Sequence, residues 1–136
     1  MVFDTGVFVE ILAGSELGRG LMEELLSGKV KSVTTDLNLT ELNYIICRKV
    51  GWERSREILD KLLLSGYVEV LRAGDFTERA ARMKCERSLS LVDCFTISAG
   101  EALGVRVLFA RREEELEREL DRRPFDVEIL FAEDLF

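Results

Sequence analysis

Residues 1–12 read MVFDTGVFVEIL. Val2 to Asp4 begins with the short apolar run of a buried strand, and Thr5 to Leu12 repeats its apolar side chains at helical spacing. A strand passing straight into a helix opens a β-α unit, in which the helix carries the chain back so that the next strand can run parallel. Asp4 is the only charge among the first nine residues and sits at the handover. That is the carboxyl end of the strand, where open α/β sheets place their ligands.

The same alternation continues outward. Ser15 is placed to cap a helix reaching about Ser27, with Leu17, Leu21 and Leu25 on one face and Gly28 as its stop. Val30 to Thr34 reads as a strand. Asp36 to Val50 and Trp52 to Leu64 read as two helices broken at Gly51, a pair expected to pack through Tyr44, Ile45, Ile58 and Leu62. A strand at Tyr67 to Leu71, an amphipathic helix at Asp75 to Ser88 and an apolar helix at Leu91 to Leu103, stopped by Gly104, come next. Val105 to Phe109 follows as a buried strand, Arg112 to Leu120 as a charged helix, and Val127 to Phe131 as a last strand after the turn at Arg123-Pro124. Short apolar strands separated by helices predict an α/β fold, a three-layer α/β/α sandwich around a mostly parallel sheet.

The 136 residues suit a single domain, 1–136, because a chain of this length buries roughly two-thirds of the surface its unfolded form exposes. No apolar run approaches the roughly 20 residues that cross a bilayer, so no membrane partner is expected. The opening residues lack the basic segment and cleavage site of a secretory signal, which makes the expected location cytoplasmic. Cys47, Cys85 and Cys94 are an odd set without CxxC spacing, each among residues expected to pack in a core, and no disulfide or zinc role is assigned to them.

Histidine is absent, which removes the usual general base, the Ser-His-Asp and Cys-His nucleophile systems and the commonest zinc ligand. Hydrolysis by this chain must then run on carboxylates, with a hard cation to assist. The net charge of −7 is the wrong sign for gripping nucleic acid through bulk charge alone.

Most of the 26 acidic residues belong on solvated helix faces. Three do not. Asp4 stands alone in an apolar opening, with a helix-capping role as its competing explanation. Asp93 is the sole charge in SLSLVDCFTISAG, residues 88–100, with Leu89 and Ile97 four residues to either side; capping again is the rival reading. Glu41 lies four residues from both Leu37 and Ile45 and interrupts an otherwise apolar stripe. Burying an unpaired carboxylate costs several kcal/mol, more than a helix of this kind needs for its own stability. Two carboxylates about 4 Å apart repel by roughly 4 kcal/mol at an effective dielectric of 20, so acids that converge must bind a cation or take up protons. Oxygen donors without nitrogen or sulfur favour Mg²⁺ or Mn²⁺. Periodicity does not say whether these three converge.

The chain resembles the PIN domain, and in particular the toxin subunits of VapBC-type toxin-antitoxin pairs, through DTGVFV at 4–9, TELNYII at 40–46 and SLVDCFTISAGEALGV at 90–105. In that family an Asp ends the first strand, a Glu follows a Ser or Thr on a middle helix, and an Asp opens a late helix. Asp4, Glu41 and Asp93 occupy those places in order, with Thr5 and Thr40 beside the first two. The resemblance implies a catalytic, metal-holding site of Asp4, Glu41 and Asp93 that takes Mg²⁺ or Mn²⁺. It also implies an endoribonuclease with an RNA substrate, a VapB-like antitoxin as partner, and a homodimer. The apolar surface around Tyr44, Ile45 and Trp52 agrees with the last of these.

One departure stands out. Many relatives carry a fourth acid soon after the late strand, where this chain has Phe109-Ala110-Arg111. Either Glu113 or Glu114 reaches back to the site, or the domain works with three acids, or catalysis is impaired. The last case describes a degenerate PIN module that binds RNA or protein without cutting, and Arg111 is the residue that favours it. A receiver-like signalling domain would want adjacent acids after the first strand and a late lysine, and the sequence has neither.

Overall fold

The computed structural model describes residues 1–136. Its strands are β1 (Val2–Phe3), β2 (Ser32–Thr35), β3 (Val68–Leu71), β4 (Val107–Phe109) and β5 (Ile129–Phe131). They form one sheet of order β3-β2-β1-β4-β5, and every neighbouring pair is parallel. Successive side chains of a strand point to opposite faces, and here both faces are covered. Phe3 and Leu108 enter one core, while Val2, Val107 and Phe109 enter the other. That is why these strands read as continuous apolar runs rather than as alternating ones.

The first core is closed by α1 (Thr5–Ala13), α2 (Glu16–Leu26), α3 (Asp36–Val50) and α4 (Trp52–Leu64), which contribute Val7, Phe8, Leu21, Leu42 and Leu59. The second is closed by α5 (Thr77–Glu86), α6 (Leu91–Leu103) and α7 (Glu114–Arg122), with Met83, Ile97 and Leu116 among their contributions. The result is the expected three-layer α/β/α sandwich. Each fully buried Phe, Leu or Ile withdraws enough surface from water to contribute about 1.5–3 kcal/mol. Gly100 lets α6 lie directly on β4, since a Cβ there would stand 2.3 Å from Val107 Cγ2. No helix is long and apolar enough to cross a membrane.

The differences from the sequence reading have local causes. The helix at 75–88 is a 3₁₀ turn, Ala73–Phe76, leading into α5, which stops at Glu86 because Arg87 is fully extended. α7 begins two residues later than expected, at Glu114, because Arg112 is drawn to Glu133 and Asp134. α3 and α4 do not pack through Tyr44, which is exposed; Leu42, Ser55 and Leu59 are the buried residues between them. The buried stripe of α3 runs through Asn38 and Leu42 because this helix must face α1 and α6 as well as α4. Of the cysteines only Cys94 lies in the core, and Cys85 is on the outer face of α5.

Candidate active site

Asp4 follows β1 directly and is the N-cap of α1: its backbone is extended and its Oδ2 accepts from the Gly6 N–H at 3.0 Å. The capping explanation for Asp4 therefore holds, and it is compatible with a second role, because capping fixes the carboxylate at the C-terminal edge of the sheet. β1 is the central strand there; the chain runs outward through β2 and β3 on one side and through β4 and β5 on the other. That reversal of strand order opens a crevice at the carboxyl ends of the strands.

Glu41 enters the crevice from α3 and Asp93 from the first turn of α6. Asp93 is not the cap of its helix. Ser90 is, accepting from the Asp93 N–H at 3.1 Å. Asp4, Glu41 and Asp93 line one cavity of about 800 Å³, together with Lys84, Glu113 and Glu115. As placed, no three acidic, cysteine or histidine side chains stand close enough to hold an ion between them; the carboxylates share a cavity without closing on a point.

The electrostatics show how closely they are coupled. Burial, then the negative charge of Asp93, pushes the Asp4 carboxyl up to about 7; Glu41 adds to this, while the backbone N–H groups of Gly6 and Thr5 oppose it. Burial, then Glu113, pushes Asp93 up to about 6, with Glu41 and Glu115 adding to it and Ser90 opposing. Burial and like charge both disfavour the ionised form of a carboxyl group, which sets Asp4 and Asp93 apart from the solvated acids of the helix faces.

The ambiguity over a fourth acid narrows. Glu113 and Glu115 face the cavity, whereas Glu114 pairs with Arg118 on the outside of α7. Arg111 turns away, with its Nε 3.1 Å from Glu10 Oε1 and its Nη1 3.9 Å from Glu133. The cavity's cations are Lys84 and Arg87. Arg87 is already engaged: its side chain is only 5% exposed, it pairs with Glu119 at 3.6 Å, and it stacks on the Phe125 ring.

Beneath the acids lies a polar feature of which only Thr5 stood out in the sequence. Thr5, Thr35, Asn38 and Thr96 are all buried and hydrogen-bond to one another. The available signal was an Asn inside an otherwise apolar helix face and a Thr inside the apolar run of residues 94–99.

The family model described as the PIN domain matches residues 1–118. No curated protein matches the chain in sequence. Among solved structures, the sarcin-ricin-loop-cleaving toxin VapC20 of Mycobacterium tuberculosis is 21% identical, with a TM-score of 0.66 over 87% of this chain and 95% of that one. VapBC of Salmonella typhimurium, bound to DNA, is 18% identical, with a TM-score of 0.69 over 96% of each chain. VapBC2 of Rickettsia felis, bound to a DNA fragment from its promoter, is 18% identical, with a TM-score of 0.69 over 95% of this chain and 97% of that one. At such identities the likeness is one of fold. With the family match spanning most of its length, on a parallel sandwich whose acids line one cavity at the carboxyl end of the first strand, this chain belongs to the PIN-domain family.

Proposed function

We propose that the chain is a metal-dependent endoribonuclease, the toxin of a VapBC-type toxin-antitoxin pair, with Asp4, Glu41 and Asp93 as its catalytic, metal-holding residues. The observation that carries the reading is the meeting of these three acids in one cavity at the C-terminal edge of β1, where Asp93 and Glu41 both act on the charge of Asp4. Membership of the PIN-domain family and the shared fold with VapC toxins support it.

The donor set suits a hard divalent cation. It is all oxygen, it carries unneutralised negative charge, and Asp93 and Glu41 raise the pKa of Asp4, so Mg²⁺ or Mn²⁺ would relieve the repulsion that now favours protonation. Asp4 and Asp93 would hold the ion, and Glu113 supplies a further carboxylate from the far wall. When bound, the ion would lower the pKa of a water and neutralise charge developing on the phosphate. Glu41 stands on the remaining wall, where a carboxylate completes the ligand set or takes a proton from the attacking water. Lys84, which donates to the Leu89 carbonyl and forms no ion pair, is the cavity cation left to contact an RNA phosphate.

An antitoxin that covers the toxin with an apolar helix needs an apolar groove. A cavity of about 310 Å³ lined by Phe8, Ile11, Leu12, Met22, Ile58 and Leu62 supplies one between α1, α2 and α4. Tyr44, Val50 and Trp52 are exposed around the α3–α4 connection, and they support a homodimer as the assembly state. The alternative, a module that binds without cutting, draws on Arg111, but that cation is paired with Glu10 and Glu133 and does not line the cavity. The test is incubation of the purified protein, free of any antitoxin, with total RNA. Cleavage that requires Mg²⁺ or Mn²⁺ and stops on chelation is expected, and binding of RNA without any cut would establish the alternative.

A further inference from the structure

The three proposed ligands come from three separate helices, α1, α3 and α6, and their charges drive those helices apart. Directly below them sits Asn38, 1% exposed, with Thr5, Thr35 and Thr96 around it, none more than 2% exposed. The Asn38 amide donates to Thr5 Oγ1 at 3.1 Å and to Thr96 Oγ1 at 2.9 Å, and its Oδ1 accepts from the Thr35 hydroxyl at 2.6 Å. Thr5 adjoins Asp4 on α1, Glu41 lies three residues beyond Asn38 on α3, and Thr96 lies three residues beyond Asp93 on α6. Each acid is thus within one helical turn of Asn38 itself or of a threonine bonded to its amide.

We propose that Asn38 is a positioning residue, which holds Asp4, Glu41 and Asp93 at one spacing by cross-tying the three helices that carry them. The inference rests on the reading of those acids as a metal site.

Helix capping does not account for this side chain. Thr35 caps α3 by accepting from the Asn38 N–H at 3.1 Å, a bond that uses the backbone of Asn38 and not its amide. Nor do Thr5 and Thr96 need the amide to be satisfied; only the Thr35 hydroxyl, which donates to Asn38 Oδ1, would lose its acceptor. Thr5 also donates to the Asn38 carbonyl at 3.4 Å and Thr96 to the Val92 carbonyl at 2.9 Å, so both would keep a partner if the amide were removed. A Leu of similar size would give the same burial. What it would lack is direction: the amide's donors and acceptor reach α1, α6 and the head of α3 at fixed angles. A fully satisfied buried polar network of this kind makes one arrangement of the surrounding helices unique. Groups bonded directly to metal ligands typically change metal affinity by about 10–100-fold when removed, and Asn38, which acts through the helices, belongs at the lower end of that range.

The experiment compares wild type, Asn38→Leu, Thr96→Val and a control, Ser55→Ala. The Ser55 hydroxyl is equally buried but ties α4 to Asn43, away from the acids. Mn²⁺ affinity is read by calorimetry, the fold by circular dichroism and melting, and cleavage by separate kcat and KM for RNA. Asn38→Leu is expected to fold, to bind Mn²⁺ about tenfold or more weakly, and to lose kcat with KM nearly unchanged. Ser55→Ala is expected to melt earlier with Mn²⁺ affinity intact. Folded Asn38→Leu binding Mn²⁺ as wild type does would overturn the inference alone. Wild type that binds no Mn²⁺ would overturn the metal site on which it rests. Where Asn38→Leu does not fold, the nearly isosteric Thr96→Val decides between weakened and unchanged Mn²⁺ binding in the same way.

Discussion

Asp93 faces Asp4 across the cavity at the head of α1, and its charge adds to burial in lifting the Asp4 carboxyl up to about 7. In the unfolded chain both would ionise near the ordinary Asp value of about 3.9. The fold therefore holds these acids in a state that works against its own stability at neutral pH.

The pH dependence of stability follows from that. Between about pH 4 and pH 7 the folded chain keeps a proton on Asp4 that the unfolded chain has lost, so unfolding releases a proton and stability falls as pH rises through this window. A shift to about 7 corresponds to a loss on the order of 4 kcal/mol by pH 8, largely absent at pH 4. Urea unfolding in chelator at pH 5 and pH 8 should show the protein more stable at pH 5. Asp4→Asn, which keeps the cap on Gly6, should remove most of the difference. A chain as stable at pH 8 as at pH 5 would contradict the assigned shifts.

The fourth acid can be located by paired substitutions. Glu113 faces Asp93 and raises it, whereas Glu114 is taken by Arg118. Glu113→Gln should lower the cleavage rate about tenfold or more, in the range found for groups that tune a metal site, while Glu114→Gln should leave it within about twofold. Equal effects from the two would remove Glu113 from the site.

Arg87 and Glu119 form a buried pair, their side chains 5% and 6% exposed, and Arg87 also donates to the carbonyls of Arg123 and Pro124 at the end of α7. Glu119 is also held by Arg122 at 2.7 Å, so Arg87→Met leaves the carboxylate partly compensated and should cost less than the about 3–5 kcal/mol of a fully orphaned buried charge. In thermal melting, the double variant Arg87→Met, Glu119→Leu should recover part of that loss. No recovery would mean that the carbonyl contacts, not the ion pair, make Arg87 necessary.

How much of this could be read in the sequence differs from element to element. α3, α4 and α6 begin and end where the pattern predicted because their signals are local: Thr35 and Ser90 cap, while Gly51 and Gly104 terminate with positive φ. The strands were found, and β3, β4 and β5 end where expected, but β2 to β5 begin one or two residues late, since a strand buried on both faces has no alternation to mark where it starts. Asp4, Glu41 and Asp93 stood out because each is a charge in an apolar setting. Asn38 did not, because an Asn is unremarkable until Thr5 and Thr96, 33 and 58 residues away, are seen to close around it. The orientation of Glu113 toward the cavity and of Arg111 away from it is set by contacts between side chains distant in sequence, such as Arg111 with Glu10.

The central claim is that Asp4, Glu41 and Asp93 act as one metal-holding catalytic site, and Asp93→Asn tests it most directly. This variant keeps the Ser90 cap, which bonds the Asp93 backbone N–H, and removes only the charge. RNA cleavage and Mn²⁺ binding should be measured on wild type and Asp93→Asn, with circular dichroism confirming the fold of both. If the three acids form one site, wild type should show Mn²⁺-dependent cleavage, and the folded variant should cleave near background with Mn²⁺ binding severely weakened. Wild-type cleavage and unchanged Mn²⁺ affinity in folded Asp93→Asn would contradict it.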